Sequence, residues 1–311
     1  NQVANGTTFF GLNEHSVRLA KEIVDAVPCA EKVRFTSTGT EATFHAMRVV
    51  RAYRRRDKIL KFEGGYHGMN DYALMSMSPD GQSEFPTAVP DSAGIPKSLK
   101  ADVLIAPFND IDTTTSIIEH HHNDLAGVIV EPFQRVIPPN PGFLEALREA
   151  TRLYEVPLIF DEVVTGFRFA YGGAQEYYGV IPDLCTLGKA LAGGLPLAAI
   201  AGTEEIMDYF DPDRPADEGG TLQEGTFNGN PLAAVAGVAT LEILKREGTY
   251  ERLFDIGQKV KNGLQQLMNE AEIPAQVSGE APVFDLFFVE NAITDYRSSL
   301  SADEQKLARF T

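Results

Sequence analysis

A single lysine stands in a stretch of otherwise uncharged, small and apolar residues at positions 185–196. Residues 184–187 have the composition of a short buried strand, Gly188 ends that strand, and Gly193-Gly194 predicts a tight turn. Lys189 therefore follows a buried strand directly, where an ammonium group is costly because it loses water. A desolvated amine is the nucleophile that Schiff-base chemistry needs. The alternative is a loop lysine whose charged end reaches solvent, and this stretch alone does not decide between the two.

Further groups suited to ligand binding or catalysis also follow predicted strands. Residues 38–40, Thr-Gly-Thr, open a helix, so their N–H groups and the helix dipole would hold a phosphate. The pair Tyr66-His67 could supply a flat ring for stacking. Two carboxylates, Glu131 and Asp161, end two more strands. Because ligands of open α/β sheets bind beyond the carboxyl ends of the strands, we expect these groups and Lys189 to meet in one site.

A phosphate cradle, a stacking ring, a buried acid and a buried lysine are together the groups that pyridoxal 5'-phosphate (PLP) requires. The lysine bonds covalently to the cofactor, and the acid keeps the pyridine nitrogen protonated so that the ring acts as an electron sink. Other phosphate-binding motifs do not fit. Gly188-Lys189 lacks the upstream glycine and the downstream Ser or Thr of a P-loop, and no G-x-G-x-x-G occurs. The residue types therefore predict PLP as the cofactor.

The elements that must position these groups alternate between strands and helices. Helical spacing is found at three places, and seven short apolar segments are predicted strands. The helices are 16–27, 38–56 and 143–154, and the strands are 33–36, 59–62, 103–106, 127–131, 157–161, 184–187 and 197–201. Nearly continuous apolar strands suit a mostly parallel sheet covered on both faces. The alternation predicts the α/β fold class.

Composition excludes several classes of partner. The chain has 311 residues, 43% of them hydrophobic, which is enough for one large domain and part of a second. A net charge of −17 argues against binding nucleic acid or an anionic membrane. The two cysteines, Cys29 and Cys185, are far apart, so we expect a reducing, cytoplasmic setting. The run 120–122 of three histidines ends a predicted helix, and we expect no metal site there.

Six short motifs, in this order, resemble those of the class III PLP-dependent aminotransferases of fold type I. The branch they resemble includes glutamate-1-semialdehyde 2,1-aminomutase, and the resemblance runs from about residue 6 to about residue 244. The motifs are Ser-Thr-Gly-Thr-Glu-Ala at 37–42, Gly-Tyr-His-Gly at 65–68, Val-Glu-Pro at 130–132, Phe-Asp-Glu-Val-Val-Thr-Gly-Phe-Arg at 160–168, Thr-Leu-Gly-Lys at 186–189 and Gly-Thr-Phe-Asn-Gly-Asn-Pro at 225–231.

The resemblance implies a fold and a division into domains. The fold is a mostly parallel seven-stranded sheet between helices, followed by part of a smaller C-terminal α+β domain. Residues 1–245 would form the large PLP-binding domain. Residues 246–311 would form a linking helix and the beginning of the small domain, in a chain expected to be incomplete at both ends.

The resemblance also implies catalytic roles at two positions and phosphate-binding roles at two more. Lys189 forms the internal aldimine with PLP and later moves protons. Asp161 pairs with the pyridinium nitrogen. Gly39 and Thr40 bind the cofactor phosphate through backbone and hydroxyl groups.

Five further positions receive roles around the cofactor in the same way. Tyr66 stacks on one face of the ring, and Val163 packs on the other. His67 lies near the ring, and Glu131 fixes the local structure at the ring edge. Thr226 reaches the phosphate bound by the neighbouring subunit, which implies a homodimer with composite sites.

Two departures from the family pattern bear on the reaction. Val164 stands where many class III members have a glutamine that bonds the cofactor's phenolic oxygen. Residues 133–135, Phe-Gln-Arg, stand where the aminomutases have a small loop, and Arg135 either holds a substrate carboxylate or is a loop arginine. We therefore predict amino transfer between an amino acid or amine and a keto acid or aldehyde. The alternatives are an intramolecular glutamate-1-semialdehyde aminomutase and a catalytically idle PLP-binding relative.

Overall fold

The computed structural model describes residues 2–8, 11–79, 81 and 83–310. Its main feature is one seven-stranded sheet with the strand order β1-β7-β6-β5-β4-β2-β3. The strands are β1 (Lys32–Thr36), β2 (Lys58–Phe62), β3 (Val103–Ala106), β4 (Leu125–Val130), β5 (Leu158–Glu162), β6 (Leu184–Leu187) and β7 (Ala198–Gly202). The pairs among β2 to β6 are parallel, whereas β7 runs antiparallel to both β1 and β6. The predicted α/β class and mostly parallel seven-stranded sheet are confirmed.

Helices connect the strands and cover the sheet. In chain order they are α1 (Gln2–Asn5), α2 (Glu14–Ala26), α3 (Gly39–Arg54), α4 (Ile111–His121), α5 (Phe143–Leu153), α6 (Ala174–Tyr178), α7 (Glu204–Met207), α8 (Pro231–Leu244), α9 (Thr249–Glu270), α10 (Tyr296–Ser299) and α11 (Glu304–Phe310). None of the helices in the described ranges combines the length and the apolar character that crossing a bilayer takes.

The two faces of the sheet bury different sets of side chains. Strand side chains alternate between faces, so Ile159 packs under α3 while Leu158 and Phe160 face the core formed with α2, α4, α5 and α8. Because both faces are covered, each central strand is apolar along its length. By the same alternation Asp161 belongs to the α3 face and Glu162 to the opposite face. The sheet therefore directs Asp161 toward the helix whose N-terminus carries the predicted phosphate loop.

Helix α3 begins where its sequence provides a capping box. The Thr38 hydroxyl accepts from Glu41 N at 3.2 Å, and Glu41 Oε2 accepts from Ser37 N at 2.8 Å and from Thr38 N at 3.1 Å. Losing such a cap destabilises a helix by about 1 kcal/mol. The start of α3 at the carboxyl end of β1 is thus fixed locally.

The C-terminal part of the chain adds a hairpin and contacts the loop after β2. Strands β8 (Gln276–Glu280) and β9 (Val283–Phe287) pair antiparallel. Arg297 donates to both carboxylate oxygens of the buried Glu63, Nε to Oε2 at 2.6 Å and Nη2 to Oε1 at 3.0 Å. The division of the chain at residue 245 stays a prediction.

Candidate active site

A cavity of about 300 Å³ opens where the strands of the sheet end, beside the first turn of α3. Its volume is at the lower end of the range for small-molecule sites. Most of the predicted site residues line it, namely Gly39, Thr40, Tyr66, Glu131, Asp161, Val163 and Lys189. His67, Arg135 and Thr226 are not among the lining residues.

Asp161 is held rigidly by donors from three elements. Thr186 Oγ donates to its Oδ1 at 2.9 Å, the backbone N–H of Val163 reaches the same oxygen at 3.2 Å, and His67 Nδ1 lies 2.8 Å from Oδ2. The carboxylate is 5% exposed. Each carboxylate oxygen has two acceptor positions, so Asp161 retains capacity for a donor from a ligand in the cavity.

His67 lies behind Asp161 and not in the cavity itself. Its side chain is buried, and burial lowers the pKa of its imidazole, although the charge and hydrogen bond of Asp161 act in the opposite direction. The sequence placed His67 near the ring without a role, and the structure gives it one, as a partner of the Asp161 carboxylate.

The first turn of α3 presents backbone donors to the cavity. The capping box occupies the N–H of Glu41, whereas the N–H groups of Gly39 and Thr40 belong to the turn that has no intrahelical acceptors. A Cβ at Gly39 would lie 3.1 Å from Val163 Cγ1, so glycine lets the backbone approach closely. The donors and the helix dipole together suit an anion such as a phosphate.

The Thr40 hydroxyl is oriented by the loop that carries Tyr66. Thr40 Oγ1 accepts from Met69 N at 3.2 Å, which leaves its own proton available for a ligand. Gly68 approaches the same hydroxyl with φ of +88°, and a Cβ there would lie 2.6 Å from Thr40 Oγ1. Only glycine combines a positive φ with so close an approach to Thr40 at this position.

Glu131 connects the cavity to the Tyr66 loop. Its Oε2 accepts from Tyr66 N at 2.9 Å, and its predicted role at the ring edge stays a prediction. Burial raises the pKa of Glu131 to about 8, and the charge of Asp161 acts in the same direction, while N–H groups of Tyr66 and Arg135 oppose the shift. Glu131 therefore carries a proton over much of the neutral range.

The environment of Lys189 differs from the sequence expectation. A buried lysine was expected, but in this chain Lys189 is exposed and makes no ion pair or side-chain hydrogen bond with the described residues. Its backbone has φ of 44°, at the first residue of a short 3₁₀ turn, Lys189–Ala192. Gly188 ends β6, and the chain then leaves the sheet, so the side chain enters the open cavity and not the core. A non-glycine residue in this region costs about 1 kcal/mol or more and is typical of functional sites.

Two more predicted residues, Arg135 and Thr226, also lie outside the cavity in this chain. Arg135 is exposed, with φ of 56°, and its Nε donates to Gly64 O at 2.9 Å. Thr226 is exposed in the segment before α8. Their predicted roles, toward a substrate and toward a neighbouring subunit, stay predictions.

Three buried polar residues near the site were missed from the sequence. Thr186 lies directly opposite Asp161 in the register of β5 and β6, and a single hydroxyl in an apolar strand next to Lys189 was the available signal.

Lys61 donates to Ala73 O at 2.8 Å and Met75 O at 2.6 Å, and burial lowers its pKa to about 7. Gln134 is buried, with Nε2 donating to Glu63 O at 2.7 Å. Nothing in the sequence distinguished this glutamine from a loop residue.

These groups fit PLP by their chemistry. The first turn of α3 suits the phosphate, Asp161 suits the pyridine nitrogen, and Lys189 brings an amine to the same cavity. Comparison with known proteins agrees, because the family described as "Aminotransferase class-III" matches residues 3–298. The chain belongs to the class III aminotransferases. As a member of this family it is a PLP-dependent enzyme.

Individual relatives of this class III chain carry different names. A glutamate-1-semialdehyde 2,1-aminomutase of Thermodesulfovibrio yellowstonii is 40% identical over 311 residues, covering 99% of this chain and 71% of that protein. An omega-transaminase structure from Sphaerobacter thermophilus is 39% identical, with a TM-score of 0.91 over 96% of this chain and 68% of that one. A transaminase structure with PLP bound is 31% identical, with a TM-score of 0.85 over 96% of this chain and 69% of that one. The resemblance predicted from the motifs is confirmed, as is the cofactor.

Proposed function

We propose that this class III aminotransferase moves an amino group between an amino acid or amine and a keto acid or aldehyde, with Lys189 as the amine that bonds covalently to the cofactor. The observation that carries the proposal is the presence of Lys189, Asp161 and the first turn of α3 around one cavity. A phosphate-binding end, an acid and an amine in one cavity are the minimum set for PLP chemistry.

Bound PLP supplies an electron sink for the electron pair released at the carbon that carries the substrate's amino group. Asp161 would accept a hydrogen bond from the ring nitrogen and keep that nitrogen protonated. The N–H groups of Gly39 and Thr40 would hold the phosphate. Val163 and Tyr66 would pack against the ring, and Lys189 Nζ would carry the proton between substrate positions.

The choice between intermolecular amino transfer and the intramolecular aminomutase reaction rests on the loop after β4. Relatives of both kinds are about equally similar to this chain, so similarity does not separate the two reactions. Phe133 and Gln134 are buried, and Arg135 is anchored through Nε, with its terminal nitrogens unbonded among the described residues. This loop is bulkier than the small loop expected of the aminomutases, and on that ground we propose intermolecular transfer. Arg135 lies outside the cavity in this chain, and we propose it as a two-pronged anchor for a substrate carboxylate, which either reaction could use.

The deciding assay supplies glutamate 1-semialdehyde alone, without a separate amino acceptor. We expect slow or absent formation of 5-aminolevulinate, together with ready loss of the cofactor's aldehyde absorbance when ordinary amino donors are added. Many turnovers on the semialdehyde alone would establish the aminomutase alternative. No reaction with any donor in a broad screen would favour the idle relative. Lys189→Ala is the control for both measurements.

We propose that two copies of the chain form the active unit. Large apolar side chains are exposed at or near the cavity, among them Met69 at 61%, Phe227 at 57% and Leu195 at 37%. An apolar surface of this kind is typical of an interface between subunits. Thr226 lies next to Phe227, which supports the prediction that it reaches the phosphate site of a partner.

A mixed dimer tests the composite site. Pairing a Lys189→Ala subunit with a Thr226→Ala subunit gives one site with both native groups and one with neither, so about half of the wild-type activity should return. Full activity of a monomer in dilute solution would disprove the proposal. Cys29 and Cys185, far apart in the sequence, are both buried and have their thiols within hydrogen-bond distance of each other, and the cytoplasmic setting stays a proposal.

A further inference from the structure

Two buried polar atoms behind Asp161 face the same small space. His67 Nε2 and Gln134 Oε1 have no hydrogen-bond partner among the groups that the structure describes, and each side chain is 1% exposed. A Cβ built on Gly65 would lie 3.0 Å from Phe62 O, 3.2 Å from His67 Nε2 and 3.5 Å from Gln134 Oε1. Buried polar atoms are nearly always paired, so this location calls for a partner.

The orientation of Gln134 is fixed by its other end. Its amide nitrogen donates to Glu63 O at 2.7 Å, so the oxygen is the atom directed toward His67. An amide oxygen only accepts hydrogen bonds. Gln134 therefore presents an acceptor to the imidazole.

The imidazole also presents an acceptor. His67 Nδ1 lies 2.8 Å from Asp161 Oδ2, and a carboxylate oxygen requires the proton to be on Nδ1. Burial lowers the pKa of His67, with Lys61 and Arg135 acting in the same direction and Asp161 against it. The neutral ring has only one N–H, and it is on Nδ1. Nε2 therefore carries a lone pair and can only accept a hydrogen bond. Two acceptors cannot satisfy each other, whereas a molecule with two O–H donors satisfies both.

We propose that one buried water bridges His67 Nε2 and Gln134 Oε1, which makes Gln134 a positioning residue for the Asp161–His67 pair. The water donates one hydrogen to each atom, holds His67 in the Nδ1–H tautomer and so keeps a donor directed at Asp161. Gly65 carries no side chain that would lie between the water and these two atoms. What Asp161 does for PLP rests on the proposed function, but the arrangement of these side chains does not.

The test uses the cofactor-free protein, so that its outcome is independent of the proposed function. The protein is labelled with ¹⁵N-histidine, and long-range ¹H–¹⁵N spectra report the tautomer and titration of His67, identified by its loss in His67→Asn. Gly65 is not at positive φ, so alanine can adopt its backbone. Its methyl group would lie 3.0 Å from Phe62 O and 3.2 Å from His67 Nε2, so these neighbours must shift slightly. In Gly65→Ala the methyl group displaces the water, while the side chains of His67 and Gln134 are both still present.

We expect the Nδ1–H tautomer in the wild type. In Gly65→Ala the stranded Gln134 Oε1 favours a second N–H on the ring, and the proton affinity of His67 should rise by about tenfold. The double variant Gly65→Ala, Gln134→Met lacks the Gln134 Oε1 acceptor, so the rise in the proton affinity of His67 should disappear. Gln223→Met, at a buried glutamine that also donates to a backbone carbonyl, is the matched control and should leave the His67 signals unchanged.

Two results would overturn the proposal. One is an Nε2–H tautomer in the wild type, which means that His67 donates directly to Gln134. The other is an equal rise in proton affinity with and without Gln134. A crystal structure of the wild type at high resolution gives a measurement that needs no variant. Density for a water within hydrogen-bond distance of both atoms supports the bridge, and its absence rejects it.

Discussion

Two groups of residues at the active site differ in how completely one chain builds them. We call Asp161, His67 and Thr186 the buried set. They are 5%, 1% and 0% exposed and are bonded to one another within the chain. We call Tyr66, Lys189 and Leu195 the exposed set. Tyr66 is 41% exposed and Leu195 37%, and the Lys189 amine makes no bond with the described residues.

The difference in burial and bonding suggests that the two sets have different functions. The buried set is organised before any ligand arrives, which suits the proposed role of Asp161, namely a fixed charge held against the ring nitrogen of PLP. The exposed set remains accessible, which suits groups that must receive a cofactor, exchange substrates and contact a second subunit. Changes in the buried set should therefore lower PLP affinity or turnover through their effect on the cofactor, whereas changes in the exposed set should act on turnover directly and on assembly.

The largest effect is expected in the exposed set. Lys189→Ala should lower turnover by about 10⁴-fold, because both the covalent link and the proton carrier are lost. Some PLP should still bind through the buried set and α3. Steady-state assays give the activity, and borohydride reduction followed by peptide mapping identifies the modified lysine. Lys245→Ala, at an exposed lysine outside the cavity, is the control. Label on Lys61 or any other lysine would show that the assignment is wrong.

Asp161→Asn tests whether the buried set acts through its charge. Asparagine keeps the shape and can still accept from Thr186, but it no longer stabilises a protonated ring nitrogen, so turnover should fall by about 10²-fold to 10³-fold. Glu162→Gln is the matched control on the opposite face of β5, where the carboxylate accepts from Thr165 and Gln175. It should lower stability and leave turnover near the wild-type value. Equal loss of turnover in both variants would contradict the comparison.

Glu131 joins the two sets, and its proton should appear in the pH dependence of stability. Its pKa is about 8 in the folded chain and 4.5 ordinarily, so the folded state holds a proton that the unfolded state releases between these values. Its stabilising contribution is complete below pH 4.5 and is lost as the pH rises to about 8, by at most about 1.4 kcal/mol per pH unit.

Glu131→Gln removes this proton but keeps an acceptor for Tyr66 N. Urea unfolding of both proteins from about pH 5 to 7 should show a decline for the wild type and a flatter profile for the variant. That window lies below the range in which the lowered pKa of Lys61 contributes with the opposite sign. Parallel profiles would mean that Glu131 is ionised in the folded chain.

The smallest effect is expected from Thr186→Val. The substitution keeps the β-branched shape in β6 and removes the hydroxyl that donates to Asp161. Loss of one hydrogen bond to a charged group should reduce PLP affinity or turnover by about tenfold. Thr151→Val, at a buried threonine whose hydroxyl donates to Arg148 O, is the control and should leave PLP affinity unchanged. An unchanged affinity in Thr186→Val would show that the buried set does not depend on this donor.

The sequence predicted the strands and the meeting of the site residues because both follow from local patterns. Apolar runs such as 158–160 mark buried strands, and the groups after parallel strands must lie at one edge of the sheet. The antiparallel direction of β7 could not be predicted, because a buried apolar strand looks the same in either direction. The exposure of Lys189 was missed because a short strand gives no information about the path of the turn after it.

The roles of Thr186 and Gln134 were hidden for a related reason. A threonine in a strand and a glutamine in a loop are ordinary residues, and their partners are set by register and by contacts between distant segments. The Asp161–His67 bond is likewise a contact between residues on different loops and strands. Tertiary contacts of this kind do not appear as a period or a spacing in one sequence.

The Arg297–Glu63 ion pair affects the order in which parts of the site can form while the chain is being synthesised. Its two residues are separated by 234 positions, and Glu63 comes only three residues before Tyr66. At about 5–20 residues per second, the ribosome adds Arg297 roughly 10–50 s after Glu63. Until then the loop that carries Tyr66 lacks this support, although α3 and β2 are already made. The nascent chain should therefore form the first turn of α3, the proposed phosphate site, before the Tyr66 loop has its full support.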